Sequence, residues 1–463
     1  MIRRLFLVLV PAVAFLLVAC GGGDAGTTVA PADTTPTISS ATAPAASLAT
    51  GSPTPSAPGS AKKLGTSSGV ATTVKAPDFT ALSGAKASFG TLGGAGYEIE
   101  MPDNWNGEVV LYAHGFAGFG TEVAVQTPPA ALRRYLITNG FAWAASSYSE
   151  NGYDPGIGAD DTLALKNLFV QKFGAPKHTY IAGASMGGNV VALALENQQK
   201  EYDGALSMCG ALGGIGQIDY LVSWVAAAEL TSGLKFPIGT PGANLTSLFL
   251  QDVPRELGAP TAPTAKGKQF ASIINNLTGG PRPFFAEGFA EQYTVNFGLV
   301  LLDPERKSLV NRAATNDGAK YHIDPGLGFS DEQINATIKR YASDPAARNA
   351  EAHPDMVLTT GNISVPLLTI HGTGDLFVPI TQEQYYKQKV DSAGKSNLLV
   401  QRAIRSGGHC KFSDTEITTA FTDLVSWVRD GKKPAGDDIS GDLTNAGMAF
   451  TNPLRPRDPG GER

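Results

Sequence analysis

The chain has 463 residues, 42% of them hydrophobic, with 54 glycines, 30 prolines, three cysteines, six histidines and a formal net charge of −6. An acidic balance, with no basic stripe interleaved with aromatics, argues against nucleic acid as a partner. No H-E-x-x-H, no paired C-x-x-C, no Walker lysine and no G-x-G-x-x-G fingerprint occur, so neither a metal nor a cofactor is expected.

In sequence order, Arg3 and Arg4 precede an apolar run over residues 5–19. That run is shorter than the roughly 20 residues of a spanning helix. It ends Leu17-Val18-Ala19-Cys20 and is followed by three glycines. Residues 1–19 resemble the signal peptide of bacterial lipoproteins, which is cleaved before a cysteine that is then acylated. The resemblance implies an acylated Cys20, a lipid anchor and an extracytoplasmic place in a bacterial cell envelope. The alternative is an ordinary secretory signal with an incidental cysteine. Residues 20–75 have no aromatic side chain and are rich in Pro, Ser, Thr and Ala. Such a tract cannot bury enough apolar surface to offset its ordering entropy, so a disordered tether is expected.

From residue 76 the composition is globular. Strands are expected over 97–101 and 108–114, separated by Asp103-Asn104 and Asn106-Gly107 turn signals. A helix over 129–139, a strand over 141–148 and a helix over 160–173 follow. Then come a strand over 178–184, a helix over 189–199 and a strand over 204–209. After a long interruption the pattern resumes with a strand over 365–371, a helix over 381–393, a strand over 398–404 and a helix over 414–428. This alternation signals an α/β architecture with a mostly parallel sheet. Residues 76–210 and 365–433 therefore form one expected α/β domain, and 434–463 an irregular tail. The insertion, 211–364, breaks the rhythm and must carry structure of its own. It has helical patches at 218–230 and 331–341 and an aromatic group: Tyr220, Trp224, Phe284, Phe285, Phe289, Tyr293 and Phe297. These aromatics either form the insertion's own core or line a pocket beneath a cap.

The chemistry-bearing segment is Gly183-Ala184-Ser185-Met186-Gly187, between the strand at 178–184 and the helix that follows. A serine on a sharp strand-to-helix turn presents its hydroxyl as a nucleophile. In so glycine-rich a sequence, the pattern G-x-S-x-G arises by chance about 0.4 times. A second match does occur, at Gly65-Thr66-Ser67-Ser68-Gly69, with no strand before it. Context favours Ser185. Asp375, in a Gly-rich turn past the strand at 365–371, suits the acid that orients an imidazole, the alternative being a turn-capping role. His409, in Ser406-Gly407-Gly408-His409-Cys410, lies on a loop after the last strand and suits the general base. The backbone N–H groups of Phe116 and Met186 are the candidate oxyanion donors. His114, beside Phe116, is expected to hold its loop rather than to react.

The motifs G-A-S-M-G-G, H-G-T-G-D-L-F-V-P and G-G-H-C, in the order Ser185, Asp375, His409, resemble those of α/β-hydrolase-fold serine hydrolases of the secreted esterase and lipase type. The resemblance implies an eight-stranded sheet with helices on both faces and a cap inserted after the sixth strand. It also implies a carboxylic-ester hydrolase acting on a small-molecule or polymeric ester; peptidases share the fold. Cys209 at a strand tip and Cys410 beside the base resemble tannase and feruloyl-esterase-like enzymes, in which a disulfide ties the catalytic loops. A Cys209–Cys410 disulfide is expected on that ground, although no cysteine precedes Ser185 here. Two free buried thiols are the alternative.

Overall fold

The computed structural model describes residues 63–65, 67–238, 245–301, 309–349 and 359–453. The signal segment, Cys20, His353 and most of the expected tether lie outside the described residues.

The main sheet has eight strands: β1 Ala85–Leu92, β2 Ala95–Pro102, β3 Glu108–Ala113, β4 Ala142–Ser146, β5 His178–Ala184, β6 Gly204–Met208, β7 Leu367–Gly374 and β8 Leu399–Gly407. Their spatial order is β1-β2-β4-β3-β5-β6-β7-β8. β2 is antiparallel to both neighbours, and every pair from β4 to β8 is parallel. This is the α/β-hydrolase fold. The parallel strands are buried along their whole length apart from the first residue of β5, as a sheet covered on both faces requires.

The helices of eight or more residues are α1 Ala130–Thr138, α2 Pro155–Phe173, α3 Met186–Asn197, α4 Gly216–Ser232, α5 Ala265–Leu277, α6 Phe285–Gln292, α7 Thr381–Ser392 and α8 Asp414–Asp430. On one face, Ile157 and Phe169 of α2 and Val190 and Val191 of α3 pack against Val109, Leu111 and Ile181. On the other, Leu132 and Leu136 of α1 meet Phe421 and Leu424 of α8 over Val110, Tyr180 and Leu206.

Several boundaries differ from the expectation. α2 starts at Pro155 instead of 160, because Asp154 caps it by accepting from Ile157 N and Pro155 suits the first turn. α3 starts at Met186, before the two glycines that read as a poor helix start. A Cβ on Gly187 would lie 2.0 Å from the Ala113 carbonyl oxygen, so close helix–strand packing demands the glycine there. β1 was not foreseen: its sequence, AKASFGTL, is mostly exposed at the sheet edge and shows no apolar pattern. In the insertion α5 and α6 are additional, and the helix expected over 331–341 closes earlier, at Asp331–Thr337.

The expected tether ends earlier than residue 75. Leu64 is buried, the N–H groups of Leu64 and Gly65 donate to Asp160 Oδ2 at 2.8 and 2.9 Å, and Thr73–Lys75 pairs with Glu122–Ala124. The second G-x-S-x-G match lies here, on no strand-to-helix turn, with Ser67 and Ser68 hydrogen-bonded to Glu150. The tail holds no helix or strand up to residue 453, yet it covers the β8 edge. Asp437 N donates to Gln401 O at 2.8 Å, and Ile439 and Leu443 pack on Ile380 and Ala403.

The insertion's aromatics form a core. Trp224 is fully buried against Tyr220, Phe270, Phe289 and Phe297, in one cluster with the α2–α3 face of the sheet. An element that shares the main core is part of the body of the fold.

Candidate active site

Three loops meet at the carboxyl edge of the parallel strands, where open α/β sheets place their sites. The turn after β5 holds Ser185 at φ 59°, ψ −123°, a left-handed backbone that a non-glycine residue adopts at a cost. Its N–H donates to Met208 O at 3.0 Å, tying the elbow to β6. Tyr148 (φ 57°), Cys209 (φ 47°), Cys410 (φ 56°) and Phe284 (φ 65°) also have positive φ, so five of the six such non-glycine residues among those described surround this edge. Met186 opens α3, and its N–H, in the first turn, has no intrahelical acceptor. The loop after β3 passes directly over the nucleophile: a Cβ on Gly115 would lie 3.1 Å from Ser185 Cβ. Phe116 follows it, edge-on to Phe119.

Asp375 follows β7 directly and is fully buried. Its Oδ1 accepts from Phe377 N and Val378 N, both at 3.0 Å, and its Oδ2 accepts from His409 Nδ1 at 2.6 Å. The turn-capping and imidazole-orienting roles are therefore both filled, one by each oxygen. With Nδ1 donating, the imidazole tautomer leaves the Nε2 lone pair for a proton. His409 Nε2 is buried and makes no hydrogen bond among the described residues, so a Ser185–His409 hydrogen bond is not formed here. Phe377 packs edge-on against the His409 ring at 5.2 Å.

Cys209 and Cys410 are joined in a disulfide, with Cα atoms 5.3 Å apart. The bond links the tip of β6 to the residue after His409. Ligand-type atoms of Cys209, His409 and Cys410 lie within 4.8 Å of one another, but the two sulfurs are bonded to each other and are not thiolates.

His114 is buried, stacks on Tyr148 at 3.9 Å and donates from Nδ1 to Gly115 O at 2.7 Å. Burial lowers its pKa, although the backbone bonds oppose this, so it is a neutral loop-holding residue.

The insertion contributes groups that sequence reasoning missed. Tyr220 OH and Asn296 Nδ2 both donate to Leu376 O at 2.6 Å, Leu376 N donates to Gln292 Oε1, and Arg282 Nε donates to Thr373 O at 2.7 Å. These four side chains hold the main chain on both sides of Asp375. α6 lies so close that a Cβ on Gly288 would sit 1.7 Å from Gly374 O. Polar residues scattered from Tyr220 to Asn296 carry no sequence pattern that reveals such a clamp. Buried His371, 3.9 Å from Asp375, and buried Glu383, which contacts His371, were not anticipated as part of the site.

No protein-family profile matches the chain. A curated relative, the o-phthalyl amidase of Xanthobacter agilis, is 20% identical over 401 residues, covering 74% of this chain and 87% of that protein. Among solved structures, feruloyl esterase B from Aspergillus oryzae is similar over 76% of this chain and 81% of its own, at 12% identity and a TM-score of 0.43. The Pyrococcus horikoshii acylaminoacyl peptidase is similar over 77% of this chain, at 11% identity and a TM-score of 0.40. The chain spans 43% of that peptidase's length.

Proposed function

We propose that this protein is a serine hydrolase that cleaves carboxylic esters through an acyl-enzyme. The observation that carries the reading is the 2.6 Å Asp375–His409 contact on the same sheet edge as the Ser185 elbow. Asp375 fixes the imidazole with its Nε2 lone pair free. Ser185 Oγ attacks the substrate carbonyl as its proton passes to Nε2. The oxyanion accepts from the N–H groups of Met186 and Phe116. His409 then gives its proton to the leaving alcohol. A water, deprotonated by the same nitrogen, attacks the acyl-enzyme; the bond to Ser185 Oγ breaks, that oxygen takes the proton back from His409, and the acid is released. The fold supplies the order of the three loops, and the disulfide limits the freedom of the base.

A second reading keeps this machinery and makes the scissile bond an amide. It is favoured by the amidase relative, which this chain matches over 87% of that protein's length. A third, a binding protein on a dead scaffold, would leave Ser185 unreactive. Labelling with a fluorophosphonate, followed by a panel of p-nitrophenyl esters and aryl amides, separates the three. The parent protein should label and turn over esters, and Ser185→Ala should do neither while keeping its circular dichroism. Turnover by Ser185→Ala would refute the nucleophile assignment, and preference for the amides would favour the second reading. The export-signal pattern of residues 1–20 supports an extracytoplasmic location with a lipid anchor at Cys20.

A further inference from the structure

We propose that His371 is a buried imidazolium, held charged by Glu383, and that it acts as a positioning residue behind the Asp375–His409 pair. The inference rests on the reading of His409 as the general base.

Hydrogen-bond accounting carries the charge assignment. His371 Nε2 lies 2.7 Å from Val378 O, and a carbonyl can only accept. Nδ1 lies 3.2 Å from Glu383 Oε1. The other Glu383 oxygen accepts from Thr369 Oγ1 at 2.7 Å and from Gln401 Nε2 at 2.6 Å. With one Glu383 oxygen taken by two donors and the other facing Nδ1, the cluster is built to hold a second proton on the His371 ring beside the one at Nε2. Burial opposes that charge, but the bond to Glu383 and the nearby Glu383 and Asp375 charges raise the imidazole pKa overall.

Position gives the pair its role. His371 Nε2 is 3.9 Å from Asp375 Oδ2, the oxygen that receives the His409 proton bond. The cation thus stands against the back of the carboxylate, and its bond to Val378 O closes the turn in which Asp375 sits. His371, Glu383 and Asp375 are all buried. The surrounding groups are accounted for. Thr369 and Gln401 come from β7 and β8. Tyr386 of α7 is neutral, its phenol pushed well up by burial and by Glu196 and Glu383. From the insertion, Tyr220 and Gln292 are neutral, and Arg282 is a cation bound to Thr373 O. Glu287 and Glu291 lie over Gly407 and Gly408, with Lys411 paired to Glu291. Replacing Glu383 alters the Thr369 and Gln401 bonds, leaves Tyr386 neutral through its burial, and touches none of the charged groups from the insertion.

The sign follows from distance. In Glu383→Gln the anion farther from Asp375 is removed, and His371 then loses its proton. The nearer positive charge vanishes from behind Asp375, so protonation of the base becomes easier. The acidic limb of the pH–kcat/KM profile should move upward by about 0.5–1 pH unit, with KM little changed. Glu383→Asp, which keeps the carboxylate, should restore the limb towards its original place. A group that only supported the fold would lower yield or melting temperature and leave the limb where it was.

Nitrogen-15 NMR of labelled protein tests the charge without relying on activity. At a pH above the ordinary histidine value, where the exposed histidines are neutral, one of the six histidines should remain doubly protonated. Its signal should disappear in Glu383→Gln. Absence of any doubly protonated histidine at that pH in the parent protein would overturn the proposal, even if the variant failed to fold. An unmoved or lowered limb in folded Glu383→Gln would overturn it as well. Full activity of His409→Asn would instead refute the general-base reading, which is a separate outcome.

Discussion

Removing the Cys209–Cys410 bond should weaken both the fold and the catalytic step. The cysteines are 201 residues apart, and the segment they enclose includes the whole insertion. In the chain-entropy account a loop of that size contributes about 5 kcal/mol, while measured native disulfides more often contribute about 2–4 kcal/mol. A loss of about 3–5 kcal/mol should lower the melting temperature of a domain this large by roughly 4–6 °C. The bond also anchors the residue next to His409. Without it the loop after β8 is held by the Asp375 contact, the Lys411–Glu291 ion pair and packing of Phe377 and Phe412. A displacement of the imidazole by about 1 Å can cost up to 100-fold in rate, so a fall in kcat of at least tenfold is expected, with a smaller change in KM. The assay is calorimetry and steady-state ester hydrolysis on a Cys209→Ala/Cys410→Ala double variant, compared with the parent with and without a dithiol reductant. A double variant that melts with the parent would refute the loop-closure reasoning. One that melts lower but keeps its kcat would show that the bond does not position the base.

Asp375→Asn should keep the fold and remove most of the rate. An asparagine oxygen at the Oδ1 position still accepts from Phe377 and Val378, but its amide donates to His409 Nδ1 and places the imidazole proton on Nε2, the nitrogen that must accept. The expected loss in kcat is about 10⁴-fold, from steady-state kinetics beside an unchanged melting curve; a loss under about tenfold would remove Asp375 from the mechanism. Cys20→Ser, expressed in a bacterial host, should move the protein from the membrane fraction to the soluble extracytoplasmic fraction. Retention in the membrane fraction would refute the lipid anchor.

Much of the fold was legible in the sequence because the central strands are buried on both faces. β3, β5 and β6 appear as apolar runs bounded by turn residues, and α8 shows a helical pattern, which the structure closes with the capping pair Ser413 and Glu416. β1 was not legible, since an exposed edge strand needs no apolar pattern. The start of α3 was misplaced because Gly187 is required by the approach of Ala113 O, a contact between segments distant in sequence. Of the site, Ser185, Asp375 and His409 stood out because each lies on a Gly-rich turn at the end of a strand. The clamp of Tyr220, Arg282, Gln292 and Asn296 did not, because side chains that bind backbone carbonyls and amides leave no mark on the local pattern.

The sequence by itself determined the order of the strands from β2 to β8 and of the helices outside the insertion, the elbow and the two loops that carry Asp375 and His409, because those depend on local periodicity and turn chemistry. Tertiary structure alone decided that Asp375 uses one oxygen for its own turn and the other for His409. It also decided that the insertion shares the core and grips the acid's turn, and that His371 and Glu383 stand behind it. Those relations depend on which distant segments the parallel sheet brings to one edge, and that is settled by packing across the whole molecule.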